Sequence, residues 1–220
     1  FYLKETTDLL NQVGQSAGTN FAPIALANVG NMENKGVEFL INAGIIRKKD
    51  LTFDFGFNAT YNKNKITKLT YDEDPNYEGQ RYGARSGGTG GTILINSVGY
   101  NRGSFYVYKQ VYNEQGLPID NMFEDLNRDG VITEKDLYRY KSANPDMFYG
   151  FNANVTYKRW NAGFIARASF GNYMYNNVES ATGTYRNIFN PIGVLNNGST
   201  NVLVTNFSGD GDRYYSSDYY

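Results

Sequence analysis

Twelve residues carry the clearest chemistry in this chain. Asp125, Asn127 and Asp129 stand at alternate positions, Gly130 follows, and Asp136 closes the run DLNRDGVITEKD. With Asp125 as position 1, side-chain oxygens fall at 1, 3 and 5, and a glycine falls at 6. The Val131 carbonyl then falls at 7, Thr133 at 9 and Asp136 at 12. This is the spacing of a calcium loop, which gathers about six to eight hard oxygens around one Ca2+ ion and bends sharply at its glycine. Asp136 is shorter than the glutamate that closes an EF-hand loop, and no helix pattern precedes it. The competing reading is a metal-free turn. Its Asp and Asn side chains would accept hydrogen bonds from their own backbone, with Gly130 at the kink. Spacing alone does not separate the two; under either one the loop is stiffened.

The remaining side chains argue against catalysis. The chain has no histidine and no cysteine, which removes the usual general base and all thiol chemistry. Carboxylate pairs such as Glu124 with Asp125, or Asp72 with Asp74, read as solvated loop charges. The glycine tract from Ser86 to Thr92 lacks the Gly-Lys-Ser/Thr ending of a phosphate loop and reads as a mobile connection. Tyrosines recur outside the strand patterns, at Tyr82, Tyr100, Tyr106, Tyr108, Tyr112, Tyr173, Tyr175 and Tyr185. Each offers a flat apolar face and a hydroxyl, suited to stacking on sugars, to loop packing, or to a membrane-interface girdle. The formal net charge of -1 gives no electrostatic case for nucleic acid.

The elements that must position these residues are strands. In 36–46, Val37, Phe39, Ile41, Ala43 and Ile45 alternate with Glu38, Leu40, Asn42 and Gly44. In 51–62, Phe53, Phe55, Phe57, Ala59 and Tyr61 alternate with Asp54, Gly56, Asn58 and Thr60. A period of two places each set on one face of a pleated strand. A second hairpin repeats the pattern over 147–157 and 161–170, and a strand end is predicted at about 1–10. Strands of about ten residues suffice to cross a bilayer when tilted. The mean hydropathy of -0.55 does not oppose this, because alternation hides barrel strands from an average.

Short turns at 47–50 and 158–160 alternate with long connections at 11–34, 62–145 and 171–220. Outer-membrane barrels show this asymmetry between their two rims. The expected fold is therefore all-β, a piece of a large antiparallel transmembrane barrel with long extracellular loops. The alternative is a soluble or surface-attached β-sandwich that binds glycans and carries the calcium-type loop. On the barrel reading Asp54, Asn58, Thr60, Asn152, Asn154, Thr156 and Arg167 face the lumen. Phe53, Phe55, Phe57, Phe151, Val155, Tyr157, Phe164 and Phe170 then face lipid. A connection as long as 62–145 is expected to be functional or locally folded, with a short strand near 103–109, and 172–185 is expected to hold a short helix.

Five segments resemble one family. Asn28 to Glu38 (NVGNMENKGVE) is similar to the N-x-G-x-x-x-N-K-G-x-E stretch of SusC/RagA-type TonB-linked outer-membrane proteins. Asn58 to Ile66 (NATYNKNKI) resembles the family strand that ends in N-K-N-K, and Gly103 to Tyr106 resembles its G-S-F-Y segment. Phe123 to Ile132 and Asn144 to Phe151 resemble its D-x-N-x-D-G and N-P-x-x-x-x-G blocks, in the same order. The resemblance implies a C-terminal part of a barrel of about 22 strands, within the range such barrels span. It places the plug domain and the TonB-contacting segment before this stretch, and the last strands after it. It also implies TonB-driven import of oligosaccharides, or in some members peptides, beneath a SusD-like surface lipoprotein, with no enzymatic activity.

Overall fold

The structure is a computed structural model that describes residues 1–14, 18, 22–71, 76–86, 91–116, 118–182 and 200. The chain divides into two units: 1–80, 96–104 and 141–173 form the first, and 81–95, 105–140 and 174–220 the second. No helix among the described residues is long and apolar enough to cross a membrane, a statement that does not bear on β-barrels.

The first unit is a five-stranded antiparallel sheet. Its strands are β1 (Tyr2–Gly14), β2 (Ile24–Lys48), β3 (Leu51–Lys68), β10 (Met147–Tyr157) and β11 (Trp160–Phe170), hydrogen-bonded in that order. β2 and β3, and β10 and β11, pair through tight turns. Lys48 pairs with Leu51 and Tyr157 with Trp160, so each turn holds two residues. Lys158 takes φ +52 to make the second turn, and its N–H donates to the Asp50 carbonyl at 2.8 Å, joining the two turns.

The predicted loop over 11–34 is largely strand: β1 runs on to Gly14 and β2 begins at Ile24. Sequence reasoning stopped early because Asn28, Asn31, Asn34 and the small residues between them carry no apolar alternation. They need none, since their backbone groups are satisfied by the β1–β2 and β2–β3 ladders, Asn34 pairing with both Lys4 and Asn64. At Gly36 the approach is too close for any side chain, as an added Cβ would stand 2.2 Å from the Tyr61 carbonyl oxygen.

The predicted loop over 62–145 is likewise replaced by short strands. β3 continues to Lys68. After it come β4 (Gln80–Ala84), β5 (Thr92–Asn96), β6 (Ser104–Val107) and β9 (Tyr138–Ser142), which form a four-stranded sheet in that order. β7 (Gln110–Tyr112) and β8 (Pro118–Phe123) form a separate two-stranded hairpin. A six-residue helix α1 (Asn177–Thr182) lies within the predicted helical stretch. Most of the glycine tract, Asp72 and Asp74, Tyr185, and nearly all of 183–220 lie outside the described residues.

Among the described residues the buried side chains are few. In the first unit Val13, Val29, Ile66 and Leu69 are buried, all outside the 36–46 and 51–62 stretches. In the second unit Ile95, Phe105 and Tyr106 are buried. The guanidiniums of Arg81 and Arg139 both lie over the Tyr106 ring, each 5.1 Å from its centroid.

Candidate functional site

Two arrangements in the molecule concern function: the two faces of the five-stranded sheet, and the Asp125–Asp136 loop.

Register, more than composition, makes the sheet faces coherent. Ala43, Phe55, Ala153 and Phe164 form one cross-strand row, and Ile41, Phe57, Phe151 and Ala166 form the next. Between them, on the opposite face, lies the row Asn42, Gly56, Asn152 and Ile165. Gly44, Asp54, Asn154 and Gly163 form a second polar row, and Leu40, Asn58, Gly150 and Arg167 a third. All seven residues expected to face a lumen share one face, and all eight expected to face lipid share the other. Leu40, Phe148 and Ile165 are apolar exceptions on the polar face. The amides of Asn42 and Asn152 lie across Gly56, whose missing Cβ would meet them at 2.7 and 2.3 Å.

On the apolar face Phe57 is the hub of an aromatic group. Its ring centroid lies 5.0 Å from Phe151 and 6.2 Å from both Phe39 and Tyr149. Such spacing suits offset and edge contacts between rings. This face is nevertheless open, with Phe39 53% and Phe164 63% exposed. A water-soluble sandwich would bury such a face, so the sandwich alternative does not describe the molecule.

A β-bulge between Gly44 and Ile46 was not legible in the sequence. Simple alternation put Ile45 opposite the start of β3, and it would have put Arg47 among the phenylalanines. The bulge makes Ile46 the partner of Phe53 and turns Arg47 to the polar face. There the Arg47 guanidinium donates twice to the Asp54 carboxylate, one bond at 3.1 Å. The available signal was the charge itself, since a cation on a lipid face is costly.

The family-like motifs acquire structural roles. Asn62 accepts from the Tyr2 hydroxyl at 2.9 Å, and Asn64 accepts from the Arg102 N–H at 2.7 Å. Asn144 donates its amide to the Arg102 carbonyl at 2.6 Å. These bonds tie the 96–104 segment and the approach to β10 to the ends of β1 and β3.

The Asp125–Asp136 loop closes on its own backbone. Asp125 accepts from the N–H groups of Arg128 (2.6 Å), Asp129 (3.3 Å) and Gly130 (2.8 Å). Asn127 accepts from Asp129, and Asp129 accepts from Val131, both at 3.0 Å. Arg128 and Gly130 take positive φ, +61 and +84, which draws the chain around the Asp125 carboxylate. Asp136 is fully buried. Its oxygens accept from Leu126 (2.9 Å), Asn127 (3.3 Å) and Thr133 (2.8 Å), and Thr133 caps the 3-10 turn Glu134–Asp136. The Thr133 N–H first, then those of Asn127 and Leu126, hold the Asp136 carboxyl below its ordinary range, outweighing the burial that pushes it up.

Both oxygens of Asp125 and both of Asp136 are thus committed to amides. Val131, whose carbonyl was the expected ligand at position 7, enters the network through its N–H. Among the described residues no three acidic, histidine or cysteine side chains converge as a metal site requires. As arranged, the loop satisfies the carboxylate oxygens of Asp125 and Asp136 through backbone amides, the hydrogen bonding of the metal-free turn.

Relatives and solved structures identify the surroundings of this geometry. No protein-family model matches the chain. The TonB-dependent receptor SusC of Bacteroides thetaiotaomicron is 40% identical over 225 residues, covering 100% of this chain and 22% of that protein. The TonB-dependent receptor P3 of Formosa agariphila is 30% identical over 198 residues, covering 80% of this chain and 18% of the relative. The RagAB peptide transporter matches in fold with a TM-score of 0.63 at 23% identity, over 83% of this chain and 19% of that one. The chain thus spans about a fifth of the length of the curated relatives it matches. With its antiparallel strands, its two segregated faces and this likeness along its whole length, the chain belongs to the SusC/RagA family of TonB-dependent outer-membrane barrel proteins of Gram-negative bacteria.

Proposed function

We propose that this chain forms part of the barrel wall and outer connections of a TonB-driven nutrient importer, with oligosaccharides as its leading cargo. The observation that carries this reading is the segregation of faces across five strands. Leu51 to Tyr61 of β3 keeps one apolar face for ten residue steps. At about 3.3 Å per residue and a tilt near 40°, that face rises about 25 Å, the height of the apolar band of an outer-membrane barrel. The polar rows, rich in Asn, Gly, Asp and Thr, then line a water-filled lumen. The long connections meet cargo and a SusD-like surface lipoprotein that closes the barrel. Energy comes from the TonB complex through parts of the protein outside this stretch.

The exposed tyrosines Tyr100, Tyr112, Tyr140 and Tyr173 favour sugars, on which such rings stack. The likeness to RagAB favours peptides as the second reading.

The faces are tested by single cysteines in the full-length protein, this stretch having none of its own. Phe57→Cys is expected to resist a water-soluble maleimide in intact outer membranes and to react with a lipid-soluble one, while Asn58→Cys does the reverse. Equal labelling of both by the aqueous reagent would end the barrel-wall reading. Uptake of labelled oligosaccharides and of labelled peptides, in cells with and without the protein and its lipoprotein, then assigns the cargo.

A further inference from the structure

The short-turn rim of the sheet carries a charge pattern that neither the barrel nor its import role requires. The two turns and the residue before them hold Lys48, Lys49, Asp50, Lys158 and Arg159, four cations and one anion, in a chain whose formal net charge is -1. Among the described residues none of these four cations forms an ion pair, whereas Arg47 beside them is paired with Asp54. All four are exposed. The Lys158 N–H to Asp50 carbonyl bond holds the turns together, so the four cations share one rim. The lowest row of the apolar face runs Lys48, Leu51, Tyr157, Trp160 across the strands. Trp160 is 80% exposed, and the Lys158 ammonium sits 5.4 Å from the Tyr157 ring. Two amphipathic aromatics thus mark where an apolar band ends, with unpaired cations directly beneath them. The other end of the band differs, since Lys35 there is paired with Glu33 and Lys65 lies opposite Glu33 in the ladder.

We propose that this rim binds the headgroup of an anionic phospholipid in the periplasmic leaflet. Lys48, Lys49, Lys158 and Arg159 hold the phosphodiester, while Trp160, Tyr157 and Leu51 pack on the first carbons of its acyl chains. Short turns lie at the periplasmic rim of such barrels, and each cation near a membrane surface adds to the attraction for anionic lipid. The inference rests on the apolar band lying in lipid, not on what the protein imports.

The test uses the full-length protein in nanodiscs of phosphatidylethanolamine and phosphatidylglycerol, with retained lipids counted by native mass spectrometry. The wild type is expected to retain phosphatidylglycerol preferentially. The variant carrying Lys48→Gln, Lys49→Gln, Lys158→Gln and Arg159→Gln is expected to lose that preference by at least about tenfold. Its heat-modifiable gel mobility, which reports barrel folding, stays unchanged. The variant Lys63→Gln with Lys65→Gln, at the opposite end of the band, is expected to keep the preference. An unchanged preference in the four-site variant overturns the site, as does an equal loss in the control. A preference abolished by millimolar inorganic phosphate at constant ionic strength would reassign the rim to free phosphate and also overturn it. A wild type that enters no disc would overturn the barrel-wall reading itself, which separates the two failures.

Discussion

The sheet and the Asp125–Asp136 loop solve opposite problems with the same alphabet. The sheet leaves its large side chains uncovered and buries almost nothing between Leu51 and Tyr61, so its apolar face must find a solvent that accepts it. The loop exposes most of its residues and buries a charge, Asp136, which must find partners within the chain. In the sheet, specificity comes from register. A slip of one residue in β3 would exchange Phe53, Phe55 and Phe57 for Asp54, Gly56 and Asn58. In the loop it comes from hydrogen-bond count, since a buried carboxylate is tolerated only when its oxygens are satisfied. The difference teaches that charged residues in this protein are placed by two separate rules. They are excluded from the apolar band of one face of the sheet between its end rows, by a bulge where necessary, and they are gathered around amides in the loop.

The largest expected effect comes from breaking the sheet's rule. Phe57→Arg puts a cation at the centre of the aromatic group and is expected to cost about 2–4 kcal/mol of barrel stability in vesicles. Asn154→Lys, on the polar face beside Asp54, is expected to change stability by less than about 0.5 kcal/mol. Urea unfolding of the full-length protein in lipid vesicles measures both. Similar losses for the two would remove the distinction between the faces.

A smaller, local effect is expected from the loop. Asp136→Ala removes the acceptor of three backbone donors and should speed amide exchange at Leu126 and Thr133 by roughly tenfold or more, leaving sheet amides unchanged. The pH dependence follows with a definite sign. A carboxyl held below its ordinary value stabilises the loop fully above its unfolded value, about 3.9, and that contribution is lost as pH falls below this through the folded value. Exchange in the loop should therefore accelerate only below about pH 4, and Asp136→Asn should flatten the profile. Loosening between pH 5 and 6 would show that Asp136 does not hold the loop. The smallest effect is expected from calcium. With the oxygens committed to amides, millimolar calcium should leave loop exchange within about twofold of its metal-free rate. A protection gain above about tenfold would instead recover the calcium loop from the spacing of its residues.

Much of this was legible in the residues. Alternation over 51–62 and 147–157 located the third and fourth strands of the sheet and both of their faces, because a period of two survives any packing. The six residues of the DLNRDGVITEKD pattern were found, but spacing could not say whether their oxygens would turn to a cation or to amides. The long strands through 24–35 and 62–68 were missed, because a strand whose ladder is complete needs no apolar face where it leaves the bilayer. Inside 69–146 local folding was expected and β6 was located by the strand near 103–109, but the other strands of its sheets were not. The strands there are mostly four to six residues long, too short for periodicity to speak.

The sequence by itself determined that the chain is all-β, that its strands are amphipathic, and that its connections alternate short and long. These follow from side-chain type and interval, which are local. Tertiary structure alone decided three things. It set the register that lines three polar rows against one another. It introduced the bulge that turns Arg47 from the phenylalanines to Asp54. It brought the turns around Asp50 and Lys158 together into one cationic rim. Each depends on which strand lies beside which, and β3 pairs with β10 across a gap of 78 residues that no local pattern can bridge.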